Sequence, residues 1–205
     1  MKLLGSTRSP YVRKVLVAAH EVGLADQIEM VAKVVTLVDR EPDVCAANPL
    51  GQVPALLLPN SQTLYDSGVI CDYLDAISTR PHLIPDDRMA KVEMSRRHAE
   101  ADGLLAGFVR WYSERRRTDE PLSSLYVSVS RDKLAHVADH WDRQAYSWAE
   151  RPIDLGFIAI GCALAYGDFR FSPEDWRSGR PALAGWYDII STRPSFVATA
   201  FRVDG

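Results

Sequence analysis

Cysteine is scarce in this chain: three in 205 residues, at Cys45, Cys71 and Cys162. An odd, widely spaced set without a C-x-x-C pair argues against a disulfide framework and fits a reducing, cytoplasmic setting. Metal-ligand spacing is also missing. Of the five histidines (His20, His82, His98, His136 and His140), only His136 and His140 lie four apart on an expected helix. That pair reads as a solvated helical face, so no metal is expected. No apolar run approaches the ~20 residues needed to cross a bilayer. The opening MKLLGSTRSP is broken by Gly5, Ser6, Thr7 and Arg8 and is not expected to act as a secretory leader. There is no excess of basic charge: 24 Lys and Arg against 27 Asp and Glu give a net charge of −3, which gives no footprint for nucleic acid. Internal repeats and low-complexity tracts are absent.

What remains is an ordinary globular composition, 47% hydrophobic and 25% charged, long enough for one large domain or two small ones. The first 80 residues mix strands and helices. MKLLG reads as a short buried strand. PYVRKVLVAAHEV places Val12, Val15, Leu16, Ala19 and Val22 on a helical stripe that Gly23 would stop. Ile28 to Val35 has the β-branched content of a strand. A short helix fits Pro42 to Ala47. Val53 to Leu58 and Thr63 to Tyr65 read as a hairpin about the turn PNSQ. DSGVICDYLDAI then puts Val69, Ile70, Tyr73, Leu74 and Ile77 on one helical face, capped by Asp66 or Ser67. The order β-α-β then β-β-α predicts a parallel pair joined by a right-handed crossover, with a hairpin added.

Residues 79–87, with two prolines, read as a linker between a domain at 1–78 and an all-helical domain at 88–205. A long helix is expected from Met89 to Arg117, with cations of RRR near its C-terminal pole. An amphipathic helix carries Leu134, Val137, Ala138, Trp141, Ala145 and Trp148. Asp154 to Gly167 is apolar nearly all round and should be a central buried helix. Pro181 and Pro194 each open a short helix. The fold class is therefore α/β followed by all-α.

Three local features bear on chemistry, and each has two readings. In SPYV, Pro10 suits the first helical position and makes Ser9 the N-cap. Its hydroxyl either caps the helix or points outward to an anion at the helix N-terminus. In NPLGQVPAL, a proline at a strand entrance removes a ladder donor. Either Val53–Pro54 is cis, leaving the Val53 backbone open to an extended peptide ligand, or Pro54 is trans on an edge strand. In YDSGVI, Asp66 and Ser67 either cap a helix or hold the carboxylate and ammonium of an amino-acid head group.

Taken in this order and spacing, the three features resemble the thioredoxin-like domain of the cytosolic glutathione S-transferases. NPLGQVPAL resembles that family's approach to its cis-proline, and Asp66-Ser67 its acid-serine pair. SPYVRKV is similar to the helix start of its serine-type bacterial members. It also parallels the Cys-Pro-Tyr-Cys of glutaredoxins, with Ser9 and Val12 in place of both thiols, which disfavours thiol redox chemistry. RPSF and the buried IAIGCALAY fit the family's helical domain, so the resemblance covers nearly the whole chain. One departure is DLGF at Asp154, where Phe157 stands in place of the reciprocal acid of a capping box.

The resemblance implies glutathione as cosubstrate and a detoxifying transferase activity on small hydrophobic electrophiles. It implies a γ-glutamyl head at Asp66 and Ser67, a cysteinyl backbone paired with Val53 beside Pro54, and a sulfur near Ser9, with Ser6 and Thr7 as fallback hydroxyls. It implies a second-substrate pocket for which Phe108, Val109 and Tyr112 are candidates, with Asp102 reaching a neighbour's glutathione. A homodimer in the cytoplasm, without nucleic-acid or membrane partners, completes the expectation. Two alternatives stay open: a non-catalytic protein-binding relative like the stringent starvation proteins, and a glutathione-dependent isomerase or dehalogenase.

Overall fold

A computed structural model describes residues 1–37, 40–80, 82–120 and 122–202. The elements are β1 (Lys2–Gly5), α1 (Pro10–Glu21), β2 (Glu29–Ala32), α2 (Pro42–Ala47), β3 (Ala55–Leu57), β4 (Thr63–Leu64), α3 (Ser67–Ile77), α4 (Arg88–Glu114), α5 (Ser124–Ala145), α6 (Leu155–Phe171), α7 (Pro181–Ser191) and α8 (Pro194–Ala198). The strands form one sheet of order β2-β1-β3-β4. β1 pairs with β2 in parallel, Leu3 opposite Met30, and with β3 antiparallel, Leu3 opposite Leu56. This is the expected thioredoxin-like arrangement, followed by a helical region. Strand β2 is shorter than the sequence suggests: pairing stops at Ala32, although Val34 and Val35 continue the β-branched run.

The chain forms two compact units. One comprises Met1–Met94 with Pro194–Gly205, and the other Ser95–Arg193. The division thus falls inside α4 rather than between residues 78 and 88. The tail from Pro194 onward belongs with the first unit because α8 lies against α1. Two bonds fix it there: Arg13 Nη2 donates to the Phe196 carbonyl (3.1 Å), and Ser195 Oγ donates to Glu21 Oε1 (2.5 Å).

Helix α1 buries Val12, Val15 and Ala19 of its expected stripe, with Val22 buried just past its end; Leu16 is only half-buried, and Val17 and Ala18 are buried beside the stripe because α1 is covered on more than one face. The chain turns away at Gly23, whose φ of 74° admits no ordinary side chain. A Cβ there would also collide with the Arg80 guanidinium. Helix α3 departs from expectation. Ile70, Cys71 and Leu74 face the core, whereas Val69 and Ile77 are 47% and 41% exposed. Its apolar residues cover more than one face, and only one face meets the core.

In the second unit, α6 is buried from Leu155 through Gly167, as its all-round apolar sequence demands. Asp154 caps it by accepting from the Phe157 N–H at 2.9 Å. The reciprocal acid is not replaced in kind. Instead, Arg97 of α4 reaches Asp154 Oδ2 at 2.5 Å, and its guanidinium lies 4.4 Å from the centre of the Phe157 ring. The tract Arg115–Arg117 lies just past the end of α4, and Arg117 pairs with Glu114, Asp119 and Glu120. Among the described residues no helix is long and apolar enough to cross a membrane.

Candidate active site

Ser9 precedes α1 in extended conformation (φ −83°, ψ 125°), with Pro10 as the first helical residue. The Val12 N–H donates to its Oγ at 3.3 Å. Capping uses a lone pair of this oxygen and leaves the hydroxyl proton without a partner among the described residues, so the two readings of Ser9 are compatible. The same atom closes the helix and can donate a hydrogen bond to an anion in front of it.

The Val53–Pro54 peptide is cis, which resolves the choice left open by the sequence. Strand β3 starts only at Ala55, so neither the N–H nor the C=O of Val53 bonds to another described residue. The loop before it is built on Asn48, a buried side chain that sequence reasoning missed. Asn48 Nδ2 donates to the Gln52 carbonyl (2.9 Å), and its Oδ1 accepts from the Leu50 N–H (3.0 Å). Gly51, at φ 63°, completes the turn. This loop brings Val53 to the edge of a cluster of Leu4, Val44 and Ala55. An extended segment laid beside Val53 meets one donor and one acceptor, as an added strand residue would.

Asp66 caps α3. Its Oδ1 accepts from Gly68 N–H (2.9 Å) and Val69 N–H (3.3 Å), and its Oδ2 has no partner among the described residues. The Tyr65–Asp66 peptide is also cis, a feature without a signal in the sequence. Ser67 is buried at the first helical position, where neither its amide nor its hydroxyl bonds to a described residue. A carboxylate suits Ser67 at the positive helix end, and an ammonium suits the second oxygen of Asp66. The first unit therefore carries a hydroxyl donor, a strand-like backbone pair and an acid-serine pair, each with hydrogen-bonding capacity unspent.

The remaining candidates lie on the part of α4 in the second unit. Asp102 faces His98 across one turn, 3.5 Å away. Phe108 is 2% exposed and stacks on Phe171 with ring centres 5.1 Å apart, so it is core. Val109 and Tyr112 are half-buried, and the Arg170 guanidinium covers the Tyr112 ring at 4.4 Å. No group of metal-binding side chains occurs among the described residues.

One carboxylate on α3 is electrostatically uncomfortable. Asp72 lines a cleft of about 360 Å³ with Asp75, His82 and Lys91. Burial pushes its carboxyl above the ordinary range; Lys91 opposes the shift, and Asp75 and Asp66 add to it. The folded protein therefore holds this proton more tightly than the unfolded chain. Its contribution to stability is present at low pH and is lost as pH rises through the ordinary carboxylate range into the raised one. Asp72→Asn is expected to raise Tm at neutral pH and leave it unchanged below about pH 3. Equal effects at both pH values would show that packing, not charge, governs the site.

Comparison with known proteins places this geometry. The family model described as "Glutathione S-transferase, N-terminal domain" matches residues 8–77. A glutathione transferase family member from Pseudomonas fluorescens Pf-5, solved with bound glutathione, is 37% identical, with 98% of this chain and 99% of that one covered and a TM-score of 0.94. The same family member has been solved with S-(propanoic acid)-glutathione, with 99% and 100% of the chains covered and a TM-score of 0.90. Among curated proteins, the uncharacterized GST-like protein YibF of Escherichia coli is 28% identical, over 97% of this chain and 98% of its own. The fold is that of a thioredoxin-like domain with a helical C-terminal region, the class to which these glutathione-bound relatives belong. Within that class, the chain belongs to the glutathione transferase family.

Proposed function

We propose that this protein is a glutathione transferase of the serine type, in which Ser9 donates a hydrogen bond to the thiolate of glutathione. The observation that carries the reading is the Val53 backbone, whose N–H and C=O bond to no described residue, standing in sequence between Ser9 and the Asp66-Ser67 pair. The γ-glutamyl carboxylate would meet Ser67 and its ammonium Asp66, while the cysteinyl backbone pairs with Val53. The thiol then comes to the start of α1.

A free thiol of pKa about 8.5 is only a few per cent ionised at neutral pH. The helix N-terminus contributes ~0.3–1 kcal/mol to an anion, and a hydrogen bond to a charged group ~1.5–3 kcal/mol. Together these lower the thiol pKa by about 1.5–3 units, at ~1.36 kcal/mol per unit. The thiolate attacks an electrophilic carbon, and holding both reactants supplies proximity. The relative solved with S-(propanoic acid)-glutathione supports a substrate that leaves a short acid on sulfur. A cytoplasmic location fits the three free cysteines.

Glutathione should raise Tm and retain the protein on immobilised glutathione, and Ser67→Ala should weaken both. Failure of both measurements with wild-type protein would favour a protein-binding relative over an enzyme.

The homodimer part of the reading rests on exposed apolar side chains of α3 and the start of α4. Val69, Ile77, Met89 and Val92 are 47%, 41%, 68% and 55% exposed, all within the first unit. Exposed apolar groups in such number suit an interface. Val92→Asp combined with Met89→Asp should convert a dimer to a monomer in sedimentation velocity. An unchanged sedimentation coefficient would exclude this face as the interface.

A further inference from the structure

We propose that a cavity between α1 and the C-terminal tail of the first unit holds a carboxylate, and that it belongs to an acid-bearing second substrate or its glutathione conjugate. The second half rests on glutathione binding at Ser9 as proposed above. The cavity has a volume of about 150 Å³ and is lined by Thr7, Leu16 and Thr199 together with two cations, Arg13 and Arg202; among the described residues no acidic one lines it.

Arg13 is 6% exposed, and its Nε is buried with no hydrogen-bond partner. Among the described residues its guanidinium makes one hydrogen bond, from Nη2 to the Phe196 carbonyl, and it lies 5.5 Å and 4.5 Å from the centres of the Phe196 and Phe201 rings. No carboxylate pairs with it among the described residues. A buried cation without an anion is costly, and ring faces compensate only in part. A clamp holding the tail to α1 needs only the Nη2 bond; it accounts neither for the orphaned Nε nor for a second cation on the same cavity. A carboxylate accounts for both, because its two oxygens match the donor fork of arginine.

The place suits a group attached to sulfur. The Arg13 N–H donates to the Ser9 carbonyl at 3.0 Å, so the two residues are one helical turn apart, ~6 Å at 1.5 Å per residue. Helical side chains lean toward the N-terminus, the end where Ser9 lies. An acid joined to sulfur through two or three carbons spans that separation. The chemistry that makes such a conjugate is addition to an α,β-unsaturated acid. The thiolate forms a C–S bond at the β-carbon, the π pair moves to the α-carbon, and a proton from water completes the product.

The test compares S-(2-carboxyethyl)glutathione with its neutral isostere, S-(2-carbamoylethyl)glutathione, by titration calorimetry. The acid should bind about tenfold tighter, the equivalent of one charge-assisted hydrogen bond. Arg202→Gln, at an exposed position, should narrow that ratio and leave glutathione affinity unchanged, and Arg13→Gln should abolish it. A second readout needs no glutathione: propanoate, but not propanamide, should raise Tm of the wild type and lose that effect in Arg202→Gln. Equal binding of acid and amide, with no propanoate-specific shift, overturns the proposal. Loss of glutathione binding with the propanoate shift intact supports the carboxylate site and overturns the conjugate as its occupant.

Discussion

Ser9→Ala is expected to lower the conjugation rate at neutral pH by about 10–100-fold, the loss of a ~1.5–3 kcal/mol hydrogen bond to a charged acceptor. The apparent pKa of the bound thiol should rise by about 1–2 units in step, at ~1.36 kcal/mol per unit. Glutathione affinity should change little, because in the proposed binding mode Val53, Asp66 and Ser67 hold the rest of the tripeptide. The same substitution removes the cap of α1 and with it ~0.5–2 kcal/mol of stability, so a fall in activity alone is ambiguous. Ser9→Asp separates the two roles. Aspartate caps a helix as well as serine does, but it sets a negative charge against the thiolate. Stability should be retained and activity lost. Retention of activity in Ser9→Asp, or an unmoved thiol pKa in Ser9→Ala, removes Ser9 from the mechanism and leaves it a cap.

The largest stability effect is expected at Asp154. This carboxylate makes two bonds that replace an ordinary capping box, one to the Phe157 N–H and one to Arg97. Arg97 is 3% exposed, and its Nε already lacks a partner. Asp154→Ala would leave a buried guanidinium without a counter-charge and the central helix without its cap. Breaking such a pair costs ~3–5 kcal/mol, more than the cap alone. For a chain of this size that corresponds to a Tm lower by about 6–20 °C. Asp154→Asn keeps the acceptor for Phe157 and loses the charge, so it should fall between wild type and Asp154→Ala. A loss below about 1 kcal/mol in denaturant unfolding of Asp154→Ala would mean that water or rearrangement satisfies Arg97.

Much of the candidate site was legible because its parts are local. Proline at the first helical position identifies Ser9 as a cap within two residues, and Asp66 before an apolar helical run does the same for α3. The all-round apolar run of α6 fixes its burial, and the stripe of α1 correctly marks Val12, Val15 and Ala19 as core, since both follow from the 3.6-residue period, though α1 also buries residues off that stripe. Val53–Pro54 was half legible. The sequence posed the alternatives, but an isomer differing by ~0.5–1 kcal/mol in the free chain is chosen by its surroundings, including the loop braced by Asn48. Phe108 shows the opposite limit. Helical spacing puts it on a face with Val109 and Tyr112, and only the stack on Phe171, 63 positions later, makes it core.

The sequence by itself determined the element order, the caps and the candidate residues for the proposed glutathione site, because each depends on neighbours one helical turn or one strand residue away. Only the tertiary structure decided which polar groups are left unpaired. Arg13 and Lys14 follow SPYV as two consecutive cations, which local rules would leave in water, yet both are buried. For Arg13 the reason is Phe196 and Phe201, more than 180 positions away, which close over its guanidinium and leave its Nε without an acceptor. Arg97 likewise finds Asp154 across 57 positions. Burial of a charge is a property of what packs around it, and that is set by contacts distant in the chain.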